Sequence, residues 1–115
     1  MKVTQRHYRI FQQEFNRWIE RFGLKGYRIY FWQEALKDSF AELDVNEDGK
    51  YAVVRLCKEL HGENAKEFDP ALHARHEAIH LLLHRLFWLG SCRYVRPDDL
   101  FEEWERLVRI LEKVI

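Results

Sequence analysis

The sequence predicts an α+β fold: an N-terminal helix, a three-stranded and mainly antiparallel sheet, and two further helices. Three observations predict it. Large apolar residues recur at spacings of three and four up to residue 22 and again after residue 69. A block rich in aromatic and β-branched residues fills positions 27 to 57 and is interrupted by a turn. Proline-containing helix starts stand at Asp69-Pro70 and at Pro97-Asp98-Asp99. With 115 residues, 47% of them hydrophobic and seventeen aromatic, the chain is expected to form one domain, 1–115, around a single core.

The first helix is expected over Thr4 to Phe22, because Tyr8, Phe11, Phe15, Trp18, Ile19 and Phe22 mark one face and Gly23 follows as a stop. Tyr27-Arg28-Ile29-Tyr30-Phe31-Trp32 reads as a strand of aromatic strand formers. Phe40 to Val45 alternates imperfectly, with Phe40, Leu43 and Val45 as its apolar positions. Asn46-Glu47-Asp48-Gly49 is a turn and Lys50 to Cys57 a third strand, so residues 39 to 57 are expected to form a hairpin. Residues 58 to 68 turn polar around Gly62 and read as a loop or a ragged helical turn.

Asp69 can accept from free amide hydrogens as N-cap while Pro70 fits the first helical position, so a helix should start there and stop at Gly90. Its core face is expected at Ile79, Leu82, Leu83 and Leu86, widened by Ala78, Leu81, Phe87, Trp88 and Leu89 until the helix must be mostly covered. The last helix opens at Pro97-Asp98-Asp99, with a core stripe of Leu100, Phe101, Trp104, Val108, Leu111 and Ile115.

Nineteen basic side chains balance nineteen acidic ones, which leaves no long-range positive field to gather nucleic acid or an anionic membrane. The N-terminal residues carry charges every few positions, and the apolar stretches are broken by His84 and Arg85, far short of a membrane span. A cytoplasmic protein is expected. Cys57 and Cys92 form neither a CxxC pair nor a disulfide framework and read as reduced core residues.

The stretch that states a chemistry is His76-Glu77-Ala78-Ile79-His80, an HExxH motif within the second helix. Imidazoles four residues apart lie about one turn from each other on one face, so both can reach one metal ion while the adjacent glutamate handles a proton. Six His and thirteen Glu would produce such a motif by chance about 0.03 times per shuffled chain. The bland alternative is a satisfied pair of core histidines beside a solvated acidic helix. The capped helix and the acidic helix downstream favour the chemical reading.

A zinc hydrolase needs three protein ligands and one open position. His84 continues the register but stands about 12 Å along the axis from His76, too far to share its ion, and reads as a supporting or surface residue. The third ligand is expected on the last helix, where Glu105 flanks the apolar stripe and is preferred; Glu102, which a capping role at the helix start would also explain, is the runner-up. Glu77 is the expected general base. Tyr94 and His84 are candidate donors to the developing oxyanion.

Residues 74 to 83, Ala-Arg-His-Glu-Ala-Ile-His-Leu-Leu-Leu, followed by Arg93-Tyr94-Val95 and by the Glu102 to Glu112 segment, resemble the small, often phage-encoded zinc peptidase-like proteins related to minimal gluzincins. The resemblance implies a minimal zincin-like catalytic domain, a hydrolase in which the two motif histidines and a downstream helical glutamate hold Zn2+ and a protein or peptide is the substrate. It also implies that the strand before the active-site helix, about Tyr51 to Cys57, lines the cleft and pairs with an extended substrate through the segment of Tyr51, Val53 and Arg55. The fixed Asn-Glu spacing of larger gluzincins is absent, so the choice between the glutamates stays open. The alternative to a peptidase is a zinc-stabilised, non-catalytic module that binds peptides with the same fold. A third alternative is a metal-free helical protein that self-associates through its aromatic surplus.

Overall fold

A computed structural model describes residues 1–115, the side chains of 63 and 64 excepted. The chain runs α1 (Gln5–Phe22), β1 (Arg28–Glu34), β2 (Ala41–Asn46), β3 (Tyr51–Cys57), α2 (Pro70–Ser91) and α3 (Pro97–Val114), with a short 3-10 helix, Gly62–Glu67, between β3 and α2. The architecture is α+β, three α-helices and a three-stranded sheet.

Local chemistry sets the ends of the elements. The Thr4 hydroxyl accepts from the His7 amide at 3.1 Å while His7 Nδ1 accepts from the Thr4 amide, a reciprocal cap at the start of α1. Gly23 closes α1 at φ 70°, a conformation that a side chain would strain. Asp69 Oδ1 accepts from the Ala71 and Leu72 amides at 3.1 and 3.3 Å and starts α2 as its cap. Gly90 does not end α2. The helix runs through it to Ser91 because Gly90 keeps an ordinary negative φ.

The sheet order is β1-β3-β2. The β2 and β3 strands form the expected antiparallel hairpin, from Ala41↔Leu56 to Asn46↔Tyr51. β1 instead lies on the other side of β3 and runs parallel to it, from Arg28↔Tyr51 to Glu34↔Cys57, so the sheet is mixed and not mainly antiparallel. The chain crosses from one edge to the other through residues 35–40 and then inserts β3 between the two earlier strands. This order corrects the expected role of Tyr51, Val53 and Arg55. Both backbone edges of β3 are already paired, so no peptide can add to it; the open edges belong to β1 and β2.

One face of the sheet packs against α1 and α2. Ala52, Val54 and Leu56 of β3 are fully buried beneath the helices, and Phe11 and Phe15 of α1 meet Phe31 of β1 edge-on at 6.4 and 5.6 Å between ring centroids. α2 turns Ala74, Ala78, Leu81 and Leu82 inward, whereas Ile79, Leu83 and Phe87, expected on its core face, are exposed. α1 is the main packing partner of α2, and Ala74 and Ala78 are fully buried on its covered side.

α3 departs further from expectation. Glu103 and Leu107 are buried, with Ile110, Leu111 and Val114 packed on the core, while Phe101, Trp104, Val108 and Ile115 of the expected stripe face outward. Two apolar columns lie side by side on this helix, and the core takes the one containing Leu107. Cys57 is buried, Cys92 half-buried, and both are free thiols. Among the described residues no helix is long and apolar enough to cross a membrane.

Candidate functional site

Helical spacing places the rings of His76 and His80 on the exposed side of α2, where their Nε2 atoms lie 3.1 Å apart. The ring planes cross at 77° with centroids 4.7 Å apart. Two metal–nitrogen bonds of 2.0–2.1 Å at tetrahedral angles would separate the nitrogens by about 3.3 Å. The 3.1 Å contact is itself a hydrogen bond between the two rings, and a small rotation of each would give the spacing that one zinc ion requires of two of its ligands.

Glu77 turns the other way, into the wedge between α2 and β2, and is 7% exposed. Burial, reinforced by the negative charge of Glu42, pushes its carboxyl up to about 7. It lines two adjoining clefts. One, on the His76 side, is walled by Ser39, Phe40, Ala41, Leu72 and His73. The other, on the His80 side, runs along β2 past Glu42, Leu43 and Val45 toward Leu83, His84 and Phe87 of α2. His73 stacks on Phe40 at 4.4 Å, and burial lowers its pKa; its Nε2 is buried and has no hydrogen-bond partner among the described residues.

His84 shares the second cleft with Glu77 and His80. Its Nδ1 lies 2.8 Å from Glu47 Oε2, and Glu47 also accepts from the Tyr27 hydroxyl and the Lys50 ammonium, each at 2.7 Å. Burial works to raise the Glu47 carboxyl, but these hydrogen bonds outweigh it and hold the group below the usual range. Burial, with the same carboxylate behind it, raises the Tyr27 phenol. Glu47 is the residue that the sequence reading missed. It stands in a turn, and only the approach of α2 to the hairpin shows that it buttresses the motif helix.

The structure does not bring the glutamates of α3 to the histidines. Glu105 and Glu102 line a separate groove with Arg85, Leu89, Arg106 and Arg109, and neither cleft flanking the histidines contains an α3 residue. Glu103, between them, is buried and paired with Arg85 at 3.3 Å and with Arg106. Tyr94, in the connection from α2 to α3, is 84% exposed, stacks on Arg93 and lines neither cleft. Arg55 and its strand neighbour Val53 lie on the sheet face away from the helices, where Arg55 pairs with Glu34 at 2.9 Å and with Asp44.

Among the described residues no three His, Cys, Asp or Glu side chains converge into a complete metal-holding group. Two carboxylates of β2 line the cleft that holds His80 and Glu77: Glu42, whose Oε1 accepts from the Ser39 hydroxyl at 3.0 Å, and Asp44, which pairs with Arg55. Compared with family models, curated proteins and solved structures, the chain matches none.

Proposed function

We propose that this chain is a zinc-dependent metallopeptidase of the HExxH type, a minimal zincin-like domain acting on peptide bonds. The observation that carries the reading is the convergence of the His76 and His80 Nε2 atoms, with the buried Glu77 between them in sequence lining the cleft of each. The resemblance of residues 74 to 112 to small zinc peptidases supports it. Bound between the imidazoles, zinc would supply Lewis-acid chemistry, polarising a carbonyl and acidifying a water.

Glu77 is the general base. Lining the cleft of each histidine, its carboxylate would take a proton from the attacking water and give it to the leaving amine. The third ligand is a carboxylate. Glu105, with Glu102 behind it, fills that role only if α3 leaves its groove beside Arg85, whereas Glu42 and Asp44 already line the cleft of His80. The substrate is an extended protein or peptide segment laid along the free edge of β2, the strand that borders this cleft.

Zinc content and hydrolysis of an unfolded protein, measured on the same samples, test the reading. Glu77→Gln should keep near-stoichiometric zinc and lose turnover, while His80→Ala should lose both. Loss of zinc from Glu77→Gln as readily as from His80→Ala overturns the assignment. Zinc retention in Glu42→Gln, Glu102→Gln and Glu105→Gln then identifies the third ligand by the variant that releases the metal. The two-histidine half-site standing without a third acid beside it favours one second reading, a zinc-stabilised module that binds peptides without cleaving them. Saturable peptide binding with no cleavage in the zinc-loaded parent would select the module.

A further inference from the structure

α3 leaves an apolar seam largely uncovered. Phe101, Trp104, Val108, Leu111 and Ile115 follow one another at steps of three, four, three and four, the a and d positions of two successive heptads. Four of the five are exposed: Phe101 by 56%, Trp104 by 58%, Val108 by 43% and Ile115 by 97%. Phe101 and Trp104 meet edge to face, 5.9 Å between centroids, and stiffen the first part of the seam. The seam is about 21 Å long, at 1.5 Å of rise per residue.

The columns on either side of the seam differ. Leu100, Leu107 and Val114, at the g positions, are buried or half-buried, with Leu107 and Val114 in or packed on the core. Asp98, Glu105 and Glu112, at the e positions seven residues apart, are all acidic, and among the described residues none is held in an ion pair. The molecule is elongated, 48 × 30 × 25 Å, and its radius of gyration of 15.5 Å exceeds the value of about 13 Å expected for a compact chain of this length.

We propose that this seam is a docking site for an amphipathic helix of a partner protein, with basic residues on the edge that meets Asp98, Glu105 and Glu112. Charge decides against a second copy as the occupant. Antiparallel pairing of two α3 helices would set one acidic e column against the other, and parallel pairing would need the g column that is turned toward the chain's own core. A helix edged with lysine or arginine meets neither obstacle and satisfies three free carboxylates.

The test uses the full chain without metal, so its outcome does not depend on the zinc reading. Two fluorescein-labelled helical peptides of three heptads, with leucine at a and d, differ only in carrying lysine or glutamate at e and g. Fluorescence anisotropy should show the lysine peptide binding about five- to tenfold more tightly at low salt, from three favourable pairs, with the preference shrinking at 1 M salt. The triple variant Asp98→Lys, Glu105→Lys, Glu112→Lys should reverse the preference. Val108→Asp should abolish binding of both peptides without changing the far-ultraviolet circular dichroism, since Val108 lies outside the core. Equal affinity for the two peptides, absence of binding, or a concentration-dependent dimer of the parent in light scattering would each overturn the proposal.

Discussion

Glu77 illustrates how much of the site a single residue can set. Its folded pKa of about 7 stands above the value near 4.5 of an unfolded glutamate, so the folded chain binds the extra proton between those two pH values. Stability of the metal-free protein should therefore fall as pH rises from about 4.5 to 7, and the full cost should be present above 7. Glu77→Gln removes the group that must ionise in a buried place. The metal-free variant should exceed the parent by on the order of 2–3 kcal/mol at pH 8 and match it near pH 4.5, a difference that urea denaturation at the two pH values will read. Parallel stability curves for the two proteins would show that the carboxyl is not buried as described. The approach of His76 to His80 was legible in the sequence because a helix alone fixes residues four apart. The separation of Glu105 from the histidines was not, because it depends on how α3 lies across α2.

Element ends were legible wherever a cap is a short-range hydrogen bond: Thr4 before α1, Gly23 after it, and Asp69 before α2. Gly90 misled because glycine is permitted a left-handed turn but not obliged to make one. It sits near the end of α2 with open space where a Cβ would stand. Gly90→Ala should therefore stabilise the protein by about 0.5–1 kcal/mol and raise its urea midpoint without changing the slope. A loss of stability would indicate that the helix truly stops before Ser91. Strand order was not legible either. Hairpin pairing of β2 with β3 follows from the Asn46-to-Gly49 turn, but nothing local says that β3 will separate β1 from β2. α3 shows the same limit, since periodicity marks two apolar columns and only the contacts with α1 and α2 choose between them.

At the scale of the whole molecule, two buried carboxylates tie the layers together. Glu47 joins the hairpin turn to Tyr27, Lys50 and His84, and Glu103 joins α3 to Arg85 of α2. Each carboxylate is nearly enclosed, with side-chain exposures of 2% and 3%, and removing Glu47 takes the acceptor from the half-buried Tyr27 hydroxyl and His84 ring. Glu47→Ala should cost on the order of 3 kcal/mol in urea denaturation, against less than about 0.5 kcal/mol for Glu112→Ala on the open side of α3. Equal effects of the two would mean that the hairpin turn is not anchored to α2.

The placement of β3 also dictates the order in which the molecule can be made. During synthesis β1 and β2 emerge first, yet neither hydrogen-bonds to the other, and both wait for residues 51–57 before any ladder can form. Until then the aromatic face of α1 has no sheet to cover, and Phe11, Phe15 and Phe31 stay in contact with water. A ribosome must thus release about half of this chain before its first stable layer exists, and an incomplete product ending before residue 51 is a target for chaperones rather than a folded fragment.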